Sequence, residues 1–316
     1  MSVKILVTDP LSDKGLELLK KSKFEVIYKP NDSMDDIFTI LDDIDGWIIR
    51  SGTTILKNHI LKAKKLQIIG RAGVGTDNID IESSTLNGVI VMNVPDGNTV
   101  SAAEHTMAMI STLSRNIQLG HMGLMNGNWD RHKLVGNELR RKTLGIVGLG
   151  KIGREVIKRA LSFDMNILGF DPYVSQENFD ELEIKVVSLD ELTKNSDFVS
   201  LHVPLNDATK NLFDLDRMKM MKKTSKIINV ARGGIINEVD LDIALNNNII
   251  FGAGLDVFEK EPINMENPLI NNKKVLLTPH SATFTKDCAS RMGVETVQNV
   301  IDFFEDKIKK NMIVKL

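Results

Sequence analysis

The stretch from Thr143 to Asp171 constrains the fold more than any other part of this 316-residue chain. Its apolar run from Leu144 to Val147 has the character of a buried strand and leads into Gly148, Gly150 and Gly153, in the spacing G-x-G-x-x-G. Glycines so spaced allow a tight turn from strand to helix, a close approach of a pyrophosphate to the backbone, and close helix–strand packing. The stretch therefore predicts a strand–turn–helix unit that binds a dinucleotide.

Asp171 indicates which dinucleotide this is. It follows the next apolar strand, where an acidic side chain can bind the two hydroxyls of an adenosine ribose. A carboxylate there repels the 2′-phosphate of NADP, so the predicted cofactor is NAD. Glycine-rich turns are common in α/β proteins. The motif is specific here only because a strand, a helix, a second strand and an acid at its end follow one another at the expected spacing.

Composition narrows the class of protein. The composition, with 42% hydrophobic and 26% charged residues, is typical of a globular protein. The net charge of −2 argues against nonspecific electrostatic binding of nucleic acid or of an anionic membrane. The single cysteine, Cys288, excludes an intrachain disulfide and a cysteine-rich metal site. The short apolar run at the N-terminus and the lack of an apolar stretch of about 20 residues predict neither signal peptide nor membrane span. We therefore expect a cytoplasmic protein without metal, nucleic-acid or membrane partners.

Strands and helices alternate along the chain, which predicts an α/β fold built on parallel sheets. We predict two doubly wound parallel-sheet domains, in which a Rossmann NAD-binding domain at 98–283 is inserted in a flavodoxin-like substrate-binding domain formed by 1–97 and 284–316. The apolar segment from Val100 to Gln118 predicts one long helix. A last helical pattern, from Phe284 to Ile308, is expected to pack on the first domain.

Three ionisable residues follow predicted strand ends in the second domain: Arg232, Glu261 and His280. Since the carboxyl ends of parallel strands meet at one edge, these side chains are expected to converge. Arg232 can bind an oxyanion, and His280 can take a hydroxyl proton as a hydride leaves. Glu261 would orient the imidazole and raise its pKa. Singly, each is also what an ordinary loop contains; together, after a dinucleotide motif, they favour oxidation or reduction of a hydroxy acid.

Several segments carry a family resemblance: Gly70–Asp80, Asn93–Asn98, Ser101–Glu104, Trp129–Arg131, the glycine motif, Asn229–Gly234, Leu255–Pro262 and Thr278–His280. With these motifs, which cover most of its length, the chain resembles the D-2-hydroxyacid dehydrogenase family, and most closely the D-3-phosphoglycerate dehydrogenase branch. The resemblance implies that Arg232, Glu261 and His280 are the catalytic residues. It also implies a homodimer formed through the NAD-binding domain.

The resemblance further implies which residues touch the ligands, with Asp256 near the nicotinamide amide. The cofactor contacts expected from the motif and the resemblance are Val74, Gly148, Gly150, Lys151, Ile152, Gly153, Asp171, His202, Val203, Pro204, Val230, Ala231, Arg232, Asp256, His280 and Ala282. The expected substrate contacts are Arg50, Ser51, Gly73, Val74, Gly75, Asn98 and Arg131. Among these, backbone N–H groups of 71–75 would hold the substrate carboxylate, and Arg131, with Lys133 close by, would hold a phosphate across the dimer interface.

The function implied is NAD-dependent oxidation of D-3-phosphoglycerate to 3-phosphohydroxypyruvate, the first step of serine biosynthesis. Two alternatives remain open: a dehydrogenase or reductase of another D-2-hydroxyacid, such as glyoxylate, and an NAD-sensing protein like the corepressors that resemble this family. The chain departs from the family's usual residues after His280, where it has Ser281 and Ala282. It ends at Leu316, so we expect no C-terminal regulatory domain and no serine feedback through one.

Overall fold

A computed structural model describes residues 2–179, 184–308 and 310–314. The chain forms two compact units, the first from Met1–Asn98 with Thr283–Leu316 and the second from Thr99–Ala282. These limits lie within one residue of the predicted domain boundaries. The chain thus leaves the first unit once and returns to it.

The first unit is built on a parallel five-stranded sheet in the order β2-β1-β3-β4-β5. This is the flavodoxin-like order, as predicted. Its strands are β1 (Lys4–Val7), β2 (Glu25–Tyr28), β3 (Gly46–Ile49), β4 (Ile68–Arg71) and β5 (Ile90–Met92). The helices between them are α1 (Asp13–Lys20), α2 (Met34–Phe38), α3 (Lys57–Lys62) and α4 (Ile81–Leu86), with a 3-10 turn at Leu41–Asp43. The short polar helix α4 carries too weak an apolar pattern to have been predicted.

The second unit is built on a parallel seven-stranded sheet. Its strands are β6 (Thr143–Val147), β7 (Asn166–Phe170), β8 (Ile184–Val186), β9 (Phe198–Leu201), β10 (Lys226–Asn229), β11 (Gly252–Leu255) and β12 (Val275–Leu277). Their order, β12-β11-β10-β9-β6-β7-β8, is the Rossmann arrangement extended by one strand. The central strands are buried along their whole length, because helices cover both faces of such a sheet. The predicted fold class is confirmed.

The helices of the second unit are α5 (Thr99–Arg115), α6 (Ile117–Met125), α7 (Lys151–Leu161), α8 (Leu189–Asn195), α9 (Leu215–Lys219) and α10 (Glu238–Asn246). Three 3-10 turns lie at Arg131–Leu134, Gln176–Phe179 and Pro268–Asn271. The prediction of one helix from Val100 to Gln118 is wrong. Asn116 adopts a left-handed conformation, with φ of 53°, and separates α5 from α6. Asparagine tolerates this conformation, and the apolar pattern alone could not reveal the break because it continues on both sides.

The last helix, α11 (Lys286–Phe304), belongs to the first unit and packs against α1 and β4. Two glycines bring α1 and α11 together, since a Cβ on Gly15 would lie only 2.9 Å from the carbonyl carbon of Gly293. The expected packing of this segment on the first unit is therefore confirmed. Within the described residues, no helix has both the length and the apolar character needed to cross a membrane.

Candidate active site

The glycine motif forms the turn between β6 and α7. Gly148 has φ of +99°, and a Cβ on it would lie 2.5 Å from the carbonyl oxygen of His202, so only glycine fits there. A Cβ on Gly153 would lie 2.2 Å from the carbonyl oxygen of Gly148, which shows how closely α7 packs on the turn. Gly150, in contrast, has no neighbouring atom within 4 Å of its Cβ position. This open space beside the N-terminus of α7 fits the pyrophosphate of a dinucleotide.

Asp171 lies directly after β7 and is partly exposed. Its carboxylate accepts hydrogen bonds from the N–H of Leu149 in the glycine turn, at 2.9 Å, and from the N–H of Tyr173, at 3.0 Å. Each oxygen keeps a lone pair for a further donor. The position therefore fits a group that binds ribose hydroxyls, and it ties the acid to the turn that would hold the pyrophosphate.

Further predicted cofactor residues follow the ends of β9 and β10. His202, Val203 and Pro204 come after β9, and burial lowers the pKa of His202 to about 4, so its imidazole is neutral. A hydrogen bond of 2.8 Å joins its Nε2 to Ser200 Oγ. Val230 and Ala231 come after β10, while Lys151 and Ile152 open α7. All of these residues, with Ala282, lie in the second unit.

A hydrogen bond of 2.6 Å joins Nδ1 of His280 to Oε2 of Glu261. The other carboxylate oxygen of Glu261 accepts from the N–H of Phe258, at 3.0 Å. With Nδ1 occupied, the remaining ring nitrogen of His280 is the one that can exchange a proton with a ligand, and the side chain is 48% exposed. The pair thus has the geometry of a histidine oriented by a carboxylate.

Both members of the pair have shifted pKa values. The hydrogen bond to Glu261 raises the pKa of His280 against the opposing effect of burial, so the expected direction is confirmed. Burial works to raise the pKa of Glu261, but the hydrogen bonds from His280 and from the Phe258 N–H outweigh it and leave the pKa lowered. The carboxylate therefore stays ionised while the imidazole gains and loses its proton.

Arg232 lies in the loop after β10, whose shape depends on Asn229. The Asn229 side chain accepts from the N–H of Ala231 at 3.0 Å and donates to the carbonyl of Arg232 at 2.8 Å. The positive charge of Arg232 lowers the pKa values of both Glu261 and His280, which places the three groups near one another. A Cβ on Gly233 would lie 1.8 Å from the carbonyl oxygen of Phe258. The loop that carries Arg232 therefore packs backbone against backbone on the loop that leads to Glu261.

Asp256 has a role that the sequence did not indicate. It is fully buried, and its carboxylate accepts from Thr278 Oγ1 at 2.5 Å, from the Ser281 N–H at 2.8 Å and from the Ala282 N–H at 2.9 Å. His105 Nε2 lies 3.5 Å away. Asp256 thus holds the chain on both sides of His280. Contact with a nicotinamide amide stays a prediction and requires one of these neighbours to move, because the residue has no exposed surface.

His280 itself has φ of 48°, in the left-handed region that non-glycine residues rarely adopt. Its N–H donates to the carbonyl oxygen of Asp256, at 2.8 Å. Strained backbone of this kind persists where the surroundings hold it, and it is frequent in functional sites. Asp256 and Thr278 supply that support. The sequence contained a signal for it, because Asp256 follows one strand and Thr278 follows the next, two residues before His280.

The predicted substrate residues other than Arg131 all lie in the first unit. Arg50 and Ser51 follow β3, and the loop 50–53 is held by Asp9, whose carboxylate accepts from the N–H of Arg50 at 2.6 Å and of Thr53 at 3.1 Å. The Arg50 guanidinium lies 5.9 Å from the ring centre of Phe284. Asp9 was not predicted, although an acid just after β1 was a visible signal for a residue at the same sheet edge.

The loop after β4 offers fewer donors than predicted. The N–H of Gly73 already donates to the carbonyl of Arg71, at 2.8 Å. For the N–H groups of Val74 and Gly75, no hydrogen bond is found within the described ranges, so these two remain candidates for holding a carboxylate. The carbonyl of Val74 accepts from the Asn93 side chain at 2.7 Å, and Asn98, at the end of this segment, is partly exposed.

Arg131 lies apart from the other candidates, on an exposed segment of the second unit. It opens the turn Arg131–Leu134, next to an ion pair of 2.7 Å between Lys133 and Asp130. In the described part of this chain, no contact joins Arg131 to Arg232, Glu261 or His280. The structure therefore brings together Arg232, Glu261, His280 and Asp256, but not Arg131.

Comparison with known proteins agrees with this geometry. Residues 107–282 match the family described as D-isomer specific 2-hydroxyacid dehydrogenase, NAD binding domain. The prediction that this unit binds NAD is confirmed by the match. A D-3-phosphoglycerate dehydrogenase from Methanocaldococcus jannaschii is 40% identical over 312 residues, which is 98% of this chain and 59% of that protein. The chain thus spans about three-fifths of the length of the curated relatives it matches.

Solved structures match over the whole chain. The TT0316 protein from Thermus thermophilus superimposes with a TM-score of 0.90 at 30% identity, covering 99% of this chain and all (100%) of that one. An NAD-dependent formate dehydrogenase from Staphylococcus aureus, solved in complex with NAD, has a TM-score of 0.87 at 30% identity, with 99% of each chain covered. The fold is thus shared with known structures, and one of these was solved with NAD bound.

Proposed function

The chain belongs to the D-isomer specific 2-hydroxyacid dehydrogenase family, and on that premise we propose that it oxidises D-3-phosphoglycerate to 3-phosphohydroxypyruvate with NAD, the entry reaction of serine biosynthesis. The observation that carries the chemistry is the 2.6 Å hydrogen bond between His280 and Glu261. The choice of substrate is supported by the similarity to relatives that bear the name D-3-phosphoglycerate dehydrogenase.

The proposed reaction removes a hydride and a proton from one alcohol carbon and its hydroxyl. When bound, NAD supplies the acceptor for the hydride. His280 accepts the hydroxyl proton on Nε2 while its Nδ1–H stays bonded to Glu261, whose negative charge stabilises the imidazolium. Arg232 binds the substrate carboxylate and the oxygen that becomes the carbonyl, using the planar fork of donors of its guanidinium. In the reverse direction, the imidazolium returns the proton.

We assign the cofactor and substrate contacts as follows. Gly148, Gly150, Gly153 and the N-terminus of α7 would hold the pyrophosphate, and Asp171 would bind the ribose and favour NAD over NADP. The substrate would be contacted by Arg50, Ser51, the backbone N–H groups of Val74 and Gly75, and Asn98. Arg131 would add a cation for the phosphate.

The pH dependence of the reaction tests the pair. Because Glu261 raises the pKa of His280, and oxidation needs the neutral imidazole, kcat/KM for oxidation should rise with pH through that raised pKa. Glu261→Gln keeps a hydrogen-bond partner but removes the charge, so the pKa of His280 should fall. The acidic limb of the oxidation profile should then move to lower pH, and the decline of the reductive reaction should begin at lower pH as well. Glu266→Gln, an exposed acid in the same loop, should leave both profiles in place. Unmoved profiles in Glu261→Gln would refute the assignment.

Initial rates on a substrate panel test the proposed specificity. We expect D-3-phosphoglycerate to exceed D-glycerate and D-lactate in kcat/KM, and to exceed glyoxylate assayed in reverse. Arg131→Ala should remove most of the preference: charge-assisted hydrogen bonds contribute about 1.5–3 kcal/mol each, so loss of two would cost roughly 10²- to 10⁴-fold. Activity on D-glycerate should stay unchanged in the variant, because this substrate has no phosphate.

Equal or better rates on an unphosphorylated acid would move the protein to another D-2-hydroxyacid. Absence of turnover on every member of the panel, with NAD bound, would instead favour the NAD-sensing alternative.

We also propose that the chain forms a homodimer through its second unit. Helix α6 has no buried residue, and with the segment that follows it exposes large apolar side chains, namely Ile117, Met122, Leu124, Met125, Trp129 and Val135. Two of them, Leu124 and Trp129, line an apolar cleft of about 360 Å³. An exposed apolar patch of this extent is typical of a protein interface, and a second copy of the chain fits it best.

Sedimentation velocity tests the dimer. Trp129 is 78% exposed, and Trp129→Glu places a charge on the proposed interface, so the wild type should sediment as a dimer and the variant as a monomer. Val239→Glu changes a side chain of similar exposure (67%) on α10 and should remain dimeric. A monomeric wild type would contradict the proposal.

A further inference from the structure

A second cleft of the NAD-binding unit lies at the strand starts of its sheet, whereas the candidate active site follows the strand ends. Lys226 opens β10 and Gly252 opens β11, and both line this cleft. Its volume is about 360 Å³, and small-molecule sites range from ~300 to 1,000 Å³. The space is therefore large enough for a small ligand, nothing in the proposed reaction uses it, and its wall at Val135 adjoins the proposed dimer interface.

The lining of the cleft is strongly basic. It includes Lys133, Lys223, Lys226, Lys273 and Lys274, and no aspartate or glutamate is found among its described lining residues. The chain as a whole has a net charge of −2, so this concentration of cations does not follow from composition. A concave surface of one charge sign focuses the field and attracts ions of the opposite sign.

Lys226 is the buried member of the group, with 3% of its surface exposed. Its ammonium lies 4.6 Å from the ring centre of Phe251 and 5.2 Å from that of Phe198. Aromatic faces offset part of the lost hydration but accept no ordinary hydrogen bond, and within the described ranges no acceptor is found for its three N–H donors. Asp197, the acid whose charge acts on it, is already bonded to Lys222 and to the Thr143 N–H.

Such a buried, unpaired ammonium is costly unless an anion accompanies it. Burial, with the nearby charge of Lys142, lowers the pKa of Lys226, as expected for a cation that lacks a counter-charge. Two of the other lysines are already engaged: Lys133 with Asp130, and Lys274 with the Leu245 carbonyl and Asn248. The cations without an acceptor among the described residues are thus Lys226 inside the cleft and Lys223 and Lys273 at its exposed rim.

Gln118 gives an independent indication of a missing ligand. It lines the same cleft, and its side-chain oxygen is enclosed without a hydrogen-bond partner in the described structure. Rotation of the amide by about 180° brings its NH₂ group to the same position, where it can donate to an anion. Buried polar atoms are nearly always paired, and one that is not marks a place where a water, ion or ligand belongs.

We propose that this cleft binds a small multivalent anion rich in oxygen acceptors, with Lys226 and Gln118 inside and Lys223 and Lys273 at the rim. Phosphate esters and polycarboxylates share this chemistry. The ligand would connect Gln118, on α6, to Lys226, at the start of β10, and would therefore stabilise the NAD-binding unit when bound.

Calorimetric titration of the full chain tests the site, with inorganic pyrophosphate in one arm and citrate in the other. Saturating NADH occupies the glycine turn, so that pyrophosphate cannot bind there, and sodium chloride keeps the ionic strength constant. We expect saturable binding of at least one of the two anions at one site per chain. The double variant Lys223→Gln/Lys273→Gln should weaken it about tenfold or more, and Lys226→Met at least as much.

The matched control is Lys21→Gln/Lys23→Gln, which removes two exposed lysines from the first unit and should leave the dissociation constant unchanged. Binding of pyrophosphate alone would assign the site to phosphate esters, and binding of citrate alone would assign it to polycarboxylates. Absence of saturable binding in both arms, or an equal loss in the control, would overturn the proposal. If Lys226→Met fails to fold, the rim variant decides the result by itself, because both of its lysines are exposed.

Discussion

Replacement of His280 by asparagine should lower kcat/KM for D-3-phosphoglycerate by about 10²- to 10⁴-fold, the usual contribution of a general acid–base. His280 is the group whose ring nitrogen would carry the substrate proton, since Glu261 holds the other nitrogen at 2.6 Å. Asparagine is a better replacement than alanine, because His280 has φ of 48° and asparagine adopts this left-handed conformation readily. The loop geometry is thus kept while proton exchange is lost. Steady-state rates in both directions provide the measurement.

Two controls separate chemistry from folding in this variant. The dissociation constant for NADH, from fluorescence titration, should change little, because the glycine turn and Asp171 are untouched. His121→Asn changes an exposed histidine on α6 and should keep full activity. Turnover by His280→Asn at the wild-type rate would remove His280 from the mechanism, and Glu261 would then need another role.

Replacement of Gly233 by alanine should reduce kcat/KM by about 10²-fold, because a misplacement of about 1 Å in a catalytic site has this effect. The added Cβ would lie 1.8 Å from the Phe258 carbonyl oxygen and 2.7 Å from the Glu259 nitrogen, so backbone must move. The movement separates the loop of Arg232 from that of Glu261, whose carboxylate is bonded to the Phe258 N–H. The free energy of unfolding should also fall, by about 1–3 kcal/mol, as for other overpacked sites.

Gly123→Ala is the matched control for this substitution. Gly123 lies within α6, and the atom nearest to its Cβ position is the Asn128 carbonyl oxygen, at 4.0 Å, which is ordinary contact. Alanine there should leave activity and stability close to wild type, and because Gly123 lines the cleft of the proposed dimer interface, sedimentation velocity should also find the variant dimeric. Denaturant unfolding and initial rates distinguish the two variants. Wild-type kinetics in Gly233→Ala would show that contact between the two loops does not position Arg232 and Glu261.

The sheets were predictable because their signals are local. Buried parallel strands appear as short apolar runs, and the spacing of the glycines indicates the turn after β6, where Gly148 and Gly153 have no room for a side chain. The strand-end positions of Arg232, Glu261 and His280 follow from the same pattern. Where a boundary depends on one backbone conformation, as at Asn116 between α5 and α6, the apolar pattern continues through it and the break was missed.

Contacts between distant parts of the chain were not predictable in this way. Asp256 and Ala282 are 26 positions apart, and the hydrogen bond between them exists only because β11 and β12 are neighbours in the sheet. The same holds for Asp9, which organises the loop at Arg50 from 41 positions away. Gly233 is a further case, since its need to be glycine arises from the Phe258 backbone beside it.

The sequence by itself therefore determined the fold class, the NAD cofactor and the residue types at the strand ends, because periodicity and turn chemistry act between near neighbours in the chain. Only the tertiary structure decided that Glu261 accepts a hydrogen bond from His280, that Asp256 supports the loop around His280, and that five lysines gather in one cleft around Lys226. Distances, burial and partners of side chains are set when separate segments pack together, and that information is absent from local patterns.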